Sequence, residues 1–473
     1  MSGLLGLVRI ETRRSIGFWT FIPLIVIAVW LARDFLPVRV WLWPDTSHAI
    51  RMMLIILGPL AAGIAAWMAG RDRRRKIGDL LATTPCPAPA RNLVTWTGTA
   101  LWIAGAYITA GAVLLGLTAW NATFGSPLPF LPIIAVGVLA VVTHTALGYV
   151  AGHYLPSRFV APLVAALLYV GQAAPGYSSS SIKHLSPIMD FLDGDVFYGM
   201  RQDLSLPQAA WLLGLTGIAL ALIALRDRRT WPVWTAIAAA MTLAAIGAGM
   251  LLTTQIAEGA NRAVIPYQPV CQDGTITVCV HPAYQRMLPE TADIINRMAQ
   301  PLAGLSGVPT RAEQRTSTDA RSGKSDQPAG TIAFHLETPS KFEWGYKPLS
   351  LVIARDLVAD PNTPGMAAFN NVVSQIITSD PDTVDMDGIP QGAGMSSVQA
   401  FIAEWLLAQV WDDLCQEIPT GDFECWGWGA TISSEGKAVR ERFTALDPAV
   451  RRAWFEEHYV ALRAGELTLA DLP

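Results

Sequence analysis

Hydrophobic residues form long uninterrupted runs over the first 255 residues and only short, mixed runs after that point. Seven of the long runs are apolar enough to cross about 30 Å of hydrocarbon as helices. They cover residues 16–32, 50–70, 93–119, 130–151, 159–176, 208–225 and 231–254. The pattern therefore predicts that residues 1–255 form a transmembrane domain, an α-helical bundle of about seven membrane-spanning helices.

The second half of the chain, residues 256–473, has the pattern of a water-soluble domain. Its periodicity predicts strands over 331–337 and 349–357, and helices over 289–305, 397–414 and 447–465. The polar stretch 311–330 is expected to be an exposed loop. The length suits a single domain of mixed α/β class.

Composition supports this division. The whole chain is 52% hydrophobic and 15% charged, whereas soluble proteins average about 25% charged residues. Residues 1–255 contain 18 Lys and Arg against 10 Asp and Glu, and residues 256–473 contain 16 against 28. The two halves thus carry about +8 and −12 charges, as expected for one body in lipid and another in water.

The cations of the first half predict the orientation, because Lys and Arg near the ends of spans stay on the cytoplasmic side. An N-terminus in the cytoplasm places 13 of the 18 cations there. They are Arg9, Arg13, Arg14, Arg71, Arg73, Arg74, Arg75, Lys76, Arg91, Arg158, Arg226, Arg228 and Arg229. An odd number of spans then places the C-terminal domain outside the cytoplasm. The first span has no small-residue cleavage site and is expected to remain as an uncleaved anchor.

The five cysteines fit the same orientation. Cys86 lies in a predicted cytoplasmic loop, whereas the other four lie in the predicted exterior domain, where disulfides persist. Closeness in sequence favours the pairs Cys271 with Cys279 and Cys415 with Cys425. Four cysteines allow three connectivities, and four buried free thiols are the alternative.

Few polar groups lie inside the predicted spans. His144 is near the middle of the fourth span and is expected to be a neutral histidine bonded to a neighbouring carbonyl. No acidic residue lies at a mid-span position, which argues against a transporter coupled to protons or sodium. Two stripes of small residues allow close helix contact, either between subunits or within one bundle. They are Gly58, Ala62, Ala66 and Gly70, and Ala236, Ala240, Ala244 and Ala248.

The loop between the second and third spans reads GRDRRRKIGDLLATTPCPAPARN, residues 70–92. After the cations, KIGDLLATTP can form about two helical turns with Ile77, Leu80 and Leu81 on one face, and Pro85 prevents their continuation. A short apolar helix of this kind can bind in the groove of a soluble partner. The alternative is a stop-transfer signal followed by a solvated loop.

This loop resembles that of ABC-2 type transporter permeases of the actinobacterial kind, in which a charged run leads to a Gly and Leu-rich turn ending in a Leu-Leu-x-Thr-Pro-like sequence. The matching residues are Gly78, Asp79, Leu80, Leu81, Ala82, Thr84 and Pro85. Asp79 stands where that family often has Glu, and the seventh span and the exterior domain are additional. The resemblance covers roughly residues 1–225.

The resemblance implies that Ile77, Gly78, Asp79, Leu80, Leu81 and Pro85 form a coupling helix that contacts a cytoplasmic ATPase subunit. The chain itself has no G-x-x-x-x-G-K-[ST] phosphate loop. It is therefore expected to be no enzyme and to bind no cofactor, with ATP and Mg held by the partner. The resemblance further implies a homodimer or heterodimer of permeases that lies in the plasma membrane of a bacterium. Its expected activity is the export of an amphiphilic compound or peptide. No nucleic-acid partner is expected.

Some proteins that resemble ABC-2 permeases carry an exterior domain like a zinc aminopeptidase. Its H-E-x-x-H motif is missing here, because Glu404 in the predicted helix 397–414 has no histidine on either side at the required spacing. His281, His335 and His458 are scattered without ligand spacing. A membrane-anchored degenerate peptidase-like receptor, or an envelope protein that binds a partner outside, is the alternative function.

Overall fold

The fold was analysed in a computed structural model of the chain. The structure describes residues 10–13, 15–32, 41–76, 87–155, 157–178, 180–188, 196–201, 203–227, 230–254, 262–316, 330–336, 372–378, 396–416 and 434–473. These residues are mostly helical. They belong to two compact units, the first made of the described residues up to 188 with 198–264, and the second of 196–197 with those from 265 onward.

The first unit is a bundle of apolar helices. Its helices are α1 (Ile16–Ala32), α2 (Trp43–Met52), α3 (Leu54–Ala69), α4 (Ala88–Asn121), α5 (Leu131–Tyr154), α6 (Val160–Gly176), α7 (Ser205–Asp227) and α8 (Trp231–Thr253). A short helix, Arg71–Arg74, follows α3, and 3₁₀ turns cover Leu128–Phe130 and Ser181–Leu185. Strands β1 (Tyr198–Met200) and β2 (Arg262–Val264) form an antiparallel pair that also belongs to this unit.

Five helical stretches in the described residues are long and apolar enough to cross a membrane. They are Trp43–Ala69, Ala88–Asn121, Leu128–Tyr154, Ser205–Arg226 and Trp231–Thr253. The other two predicted spans are apolar helices of 17 residues, α1 and α6. Helices of this composition are compatible with a membrane protein, while the number of spans and their orientation stay predictions.

Helix α2 corrects the sequence analysis, which began the second span at residue 50. The helix begins at Trp43, with Pro44 in its first turn and Asp45 beside the helix N-terminus. Pro and an acidic residue are both favourable there. Polar residues made this stretch look like part of a loop. All ten residues of α2 are nevertheless buried, and the side chains of Thr46, Ser47 and Arg51 donate hydrogen bonds to backbone carbonyls.

The bundle core lies where α1, α3, α4 and α5 meet, around buried residues such as Met53, Leu57, Tyr107 and Val141. At one end of the bundle, Trp43 of α2, Phe130, Leu204 and Leu251 of α8 form a second cluster. The opposite end contains Arg71, Tyr154 and Arg226. Alternate helix ends therefore lie together, as in an up-and-down bundle.

The second unit contains a small mixed sheet of order β3 (Val270–Gln272), β4 (Thr277–Val280), β5 (Arg311–Gln314) and β6 (Thr331–Phe334). β3 is antiparallel to β4, and β4, β5 and β6 are parallel. The helices are α9 (Leu288–Ala299), α10 (Ser397–Gln416), α11 (Ser434–Ala445) and α12 (Pro448–Ala464), and residues 372–377 are also helical. Three 3₁₀ turns cover Pro282–Met287, Gln300–Leu302 and Leu469–Asp471.

β5 corrects a second prediction, because its residues begin the stretch that was expected to be an exposed loop. Ala312, Glu313 and Gln314 are buried in the middle of the sheet. Gln314 accepts a hydrogen bond from the backbone N–H of His281, and Glu313 forms ion pairs with Arg311 and Arg315. Buried polar groups need such partners. The predicted strand 349–357 lies outside the described residues.

Candidate functional site: a buried polar seam and the flanks of the loop after α3

The predicted coupling residues Ile77, Gly78, Asp79, Leu80, Leu81 and Pro85 lie outside the described residues, as does Cys86. Both flanks of the loop are described, up to Lys76 before it and from Pro87 after it. The role of the loop residues therefore stays a prediction, and the flanks show how the loop is attached to the bundle.

The first flank is held by ion pairs at the end of α3. Arg71 Nη1 lies 2.6 Å from Glu11 Oε1, and Arg71 Nε lies 3.3 Å from Asp72 Oδ1. Burial opposes the charge of Arg71, but its hydrogen bond and charge contact with Glu11 raise the pKa of the guanidinium above its usual value. These contacts attach the end of α3 to the N-terminal residues 10–13, so the arginines of this loop have a packing role besides any role in orientation.

Arg74 is also committed to the bundle. Its guanidinium carbon lies 3.9 Å from the centre of the Trp67 ring, a cation–π contact, and its Nη2 donates to the carbonyl of Trp67. Lys76 then adopts φ of +54°, a left-handed conformation that is uncommon for a residue with a side chain. The chain therefore turns sharply away from the helix axis immediately before the predicted coupling residues.

The second flank is the beginning of α4, which packs against α5. Pro87 precedes the helix, and the Tyr149 hydroxyl lies 3.5 Å from Asn92 Oδ1. One turn further, Trp96 Nε1 donates to Thr145 Oγ1 at 3.2 Å. The loop thus connects the end of α3 to the beginning of a helix that is hydrogen-bonded to α5.

At the other end of α3, a fully buried arginine is the centre of a hydrogen-bond network. Arg51, at the end of α2, donates from Nε to Pro187 O (2.9 Å), from Nη1 to Ile133 O (2.9 Å) and from Nη2 to Gln208 Oε1 (3.0 Å). Its side chain is 0% exposed. The planar guanidinium can serve three acceptors in different directions at once. Arg51 therefore links α2 to α5, to α7 and to the residues that follow the 3₁₀ turn Ser181–Leu185.

The network continues towards α6. Gln208 Nε2 donates to the His184 carbonyl at 3.0 Å, and the Ser186 hydroxyl donates to the Gln172 carbonyl at 2.8 Å. The side-chain amide of Gln172 then donates to the carbonyls of Leu54 and Ile55, both at 3.0 Å. We call Arg51, Gln172, Ser186 and Gln208 the polar seam. It links α2, α3, α6 and α7 through groups that are all buried.

His144 lies next to this seam and has the environment that was predicted for it. Its Nδ1 lies 2.7 Å from the carbonyl of Ala140, four residues earlier in α5. A Cβ added to Gly58 would lie 2.9 Å from His144 Nε2 and 3.2 Å from Gln172 Oε1. Gly58 thus leaves the space that both side chains occupy. The predictions from the sequence include His144 but not Arg51, although the polar series Thr46, Ser47, His48 and Arg51 beside an apolar run is a usable signal.

Ala62, Ala66 and Ala244 of the two stripes of small residues pack inside the bundle, whereas Ala236 is exposed. A Cβ added to Gly148 or Gly152 of α5 would lie 2.1 Å from the carbonyl oxygen of Ala62 or Ala66 on α3. In the same way, a Cβ on Gly214 of α7 would lie 2.5 Å from the backbone nitrogen of Ala244 on α8. The stripes of the second and the last predicted spans are therefore used for close contacts within one chain.

In the second unit, the histidines considered for a metal site belong to different elements. His281 directly follows β4, His335 directly follows β6, and His458 lies on α12. Two strand spacings, about 10 Å, separate β4 from β6. Over the described residues, no three His, Cys, Asp or Glu side chains are close enough together to hold a metal ion. Glu404 lies on α10.

Cys271 and Cys279 form a disulfide between directly opposed residues of β3 and β4, the preferred pairing of the sequence analysis. Cys425 lies outside the described residues, so its pairing with Cys415 stays a prediction. No family model matches this chain, and no curated protein and no solved structure is detectably similar to it.

Proposed function

We propose that this protein is the membrane-spanning subunit of an ATP-driven transporter, and that residues 77–85 bind a separate cytoplasmic ATPase subunit. The observation that supports this proposal most is the position of α3. One end of the helix carries Arg71, paired with Glu11, directly before the predicted coupling residues. The other end lies at the polar seam, where Gln172 binds the carbonyls of Leu54 and Ile55.

A helix of 16 residues is about 24 Å long at 1.5 Å per residue. Force applied at the loop would reach the polar seam along this one helix. Pro59 leaves the carbonyl of Ile55 without its helical donor, and Gln172 donates to that carbonyl instead. An anchor without a working role does not need fixed contacts at both ends of this helix. In the resembled family, movement of the ATPase is transmitted to the membrane helices through this loop.

The remaining parts of the proposal concern orientation and transport. Seven spans with a cytoplasmic N-terminus place the second unit outside the cytoplasm of a bacterium. The positive-inside rule supports this orientation. Arg71, Arg74 and Arg226 lie at the C-terminal ends of α3 and α7, and Arg91 and Arg158 lie at the N-terminal ends of α4 and α6, which is one and the same end of an up-and-down bundle. The protein would act as a dimer of permeases and export an amphiphilic compound or peptide.

The test is purification of the full chain from its host, followed by identification of associated ATPase subunits. We expect Leu80→Asp combined with Leu81→Asp to weaken ATPase binding at least about tenfold, because burial of one Leu side chain contributes about 1.5 kcal/mol or more. Ala82→Asp combined with Thr83→Asp adds the same two charges to the other face of the predicted helix and is the matched control.

Two results would contradict the proposal. One is purification of the intact chain without any ATPase subunit under conditions that preserve membrane complexes. The other is an equal effect of the two double variants on ATPase binding and on ATP-dependent transport, since the apolar face would then have no particular role.

A further inference from the structure

The disulfide of the second unit has two sulfur atoms in contrasting environments. Cys271 lies on β3, which is the edge strand of the described sheet, and it is exposed. Cys279 lies on the neighbouring strand β4 and is 0% exposed. A thiol from solution can therefore approach one sulfur of this bond and not the other. Access of this kind controls which sulfur is attacked in thiol–disulfide exchange.

A cation lies beside the accessible sulfur. Arg311 Nη2 is 3.7 Å from Cys271 Sγ. Arg311 also pairs with Glu313, but Glu313 is shared with Arg315, so these three side chains together carry one net positive charge. A neighbouring guanidinium stabilises a thiolate and makes the cysteine a better leaving group. The charge thus favours the thiolate of Cys271 whenever the disulfide opens.

We propose that Cys271 is a thiol–disulfide exchange site, at which an external dithiol reductant reversibly opens the disulfide with Cys279. The reductant is a dithiol protein or a dithiol small molecule, because opening the disulfide takes two electrons and two protons. The proposal is independent of the transport function and concerns only the second unit.

The exchange has two steps. A thiolate of the reductant attacks Cys271 Sγ, a mixed disulfide forms there, and the bond to Cys279 breaks with its electron pair moving to Cys279, which takes up a proton. The second thiolate of the reductant then attacks the reductant sulfur of the mixed disulfide. Cys271 leaves as a thiolate beside Arg311. The reductant ends as a disulfide and the protein as two thiols, so electrons and atoms balance.

Opening the bond changes how the edge strand is held. β3 has three residues, and β4 is its only strand neighbour in the described sheet. Cys279 remains within the core, next to the buried residues Val278 and Val280. Reduction would therefore affect β3 and the turn that follows it, residues 273–276, much more than it affects β4, β5 and β6.

The first experiment uses the full chain in detergent and dithiothreitol as the dithiol. Thiols are alkylated at intervals and assigned to each cysteine by peptide mapping, while circular dichroism reports on folding. We expect Cys271 and Cys279 to become reduced with the helical signal unchanged. If this disulfide stays closed until denaturant unfolds the second unit, the proposal is wrong.

The second experiment isolates the effect of Arg311. In the Cys279→Ser protein, the reaction of the Cys271 thiol with oxidised glutathione is followed at neutral pH by adduct mass. Adding Arg311→Gln should slow the reaction about threefold, the effect of raising the thiol pKa by about one unit when nucleophilicity rises with a Brønsted coefficient of about 0.45. Arg315→Gln, which removes the other cation from Glu313 but has no contact with Cys271 of the kind that Arg311 makes, should slow the reaction less than Arg311→Gln does.

Arg311→Lys keeps the charge and should restore most of the rate, which separates an effect of charge from a loss of structure. Unfolding midpoints of all variants are measured under the same conditions. Equal rates for Arg311→Gln and Arg315→Gln, or an Arg311→Lys rate as low as that of Arg311→Gln at an unchanged midpoint, would overturn the assignment of Arg311. Faster reaction of Cys279 in Cys271→Ser protein than of Cys271 in Cys279→Ser protein would overturn the assignment of Cys271.

Discussion

The contact between α3 and α5 leaves no space for a side chain at two glycines. A Cβ on Gly148 would lie 2.1 Å from the carbonyl oxygen of Ala62, and a Cβ on Gly152 would lie 2.1 Å from that of Ala66. Ordinary contacts of a Cβ begin at about 3.4 Å, so each added methyl group is about 1.3 Å too close. The obstacle is backbone, which cannot rotate away as a flexible side chain does.

We therefore expect Gly148→Ala and Gly152→Ala each to lower the free energy of unfolding by about 2–3 kcal/mol, at the upper end for an added methyl group in a packed interior. The helices must separate by more than 1 Å to accept either change. Because the two glycines are one helical turn apart and face the same helix, one separation relieves both clashes. The double variant should lose clearly less than the sum of the single losses.

The assay is reversible unfolding of the full chain in mixed micelles with increasing sodium dodecyl sulfate, followed by tryptophan fluorescence. Gly171→Ala on α6 and Gly249→Ala on α8 are matched controls, because a Cβ at either position has nothing within 4 Å. They should leave stability unchanged or raise it by up to about 1 kcal/mol, because Ala favours the helix more than Gly does. If the Gly148→Ala protein is as stable as the Gly171→Ala protein, the close contact between α3 and α5 is refuted. If the loss in the double variant equals the sum of the two single losses, the idea that one separation of the helices relieves both clashes is refuted.

Two further predictions concern single side chains. Replacing Arg51 by Lys should lower the free energy of unfolding by about 3 kcal/mol in the same assay, because an ammonium cannot donate to Pro187, Ile133 and Gln208 together. Arg158→Lys is the control, and it should have no effect because Arg158 is exposed. Burial lowers the pKa of His281 to about 4 from its usual 6.5. Between these pH values the unfolded chain binds a proton that the folded chain does not, so the free energy of unfolding should fall by at most about 3 kcal/mol between pH 6.5 and 4. Asn at position 281 can still accept the hydrogen bond from the Ala283 N–H but does not titrate. His281→Asn should therefore remove this decrease in acid titrations of the full chain. The prediction is wrong if the His281→Asn protein loses as much stability between pH 6.5 and 4 as the unchanged protein does.

The helices that the sequence predicts well are those with an almost uninterrupted apolar sequence. α1 has the predicted limits, residues 16–32, and α8 ends one residue early, at Thr253. In such segments nearly every position is apolar, so the length of the run alone determines the element. The disulfide between Cys271 and Cys279 can also be predicted from the local sequence, because a separation of eight residues favours a pair across a hairpin.

The segments that the sequence analysis missed are polar sequences in buried positions. α2 and β5 contain Asp45, Arg51, Glu313 and Gln314, which local patterns assign to surfaces. Their partners are distant in sequence. Gln208 is 157 residues from Arg51, and His281 is 33 residues from Gln314. Hydrogen bonds of this kind become visible only after the chain has folded, so no window of local sequence contains them.

The attachments of α3 differ along its length and limit which motions the bundle permits. Polar groups hold its first turn, backbone contacts with Gly148 and Gly152 hold its later turns, and Arg71 is paired just beyond its end. α3, α5 and α6 are therefore expected to move as one body. Only 17% of the apolar part of α8 is buried, against 61% for the stretch Trp43–Ala69, which contains α3. The main helical neighbour of α8 is α7. In the proposed transporter, rearrangement of the membrane helices therefore requires least energy at α8, while α3 carries the movement without being deformed.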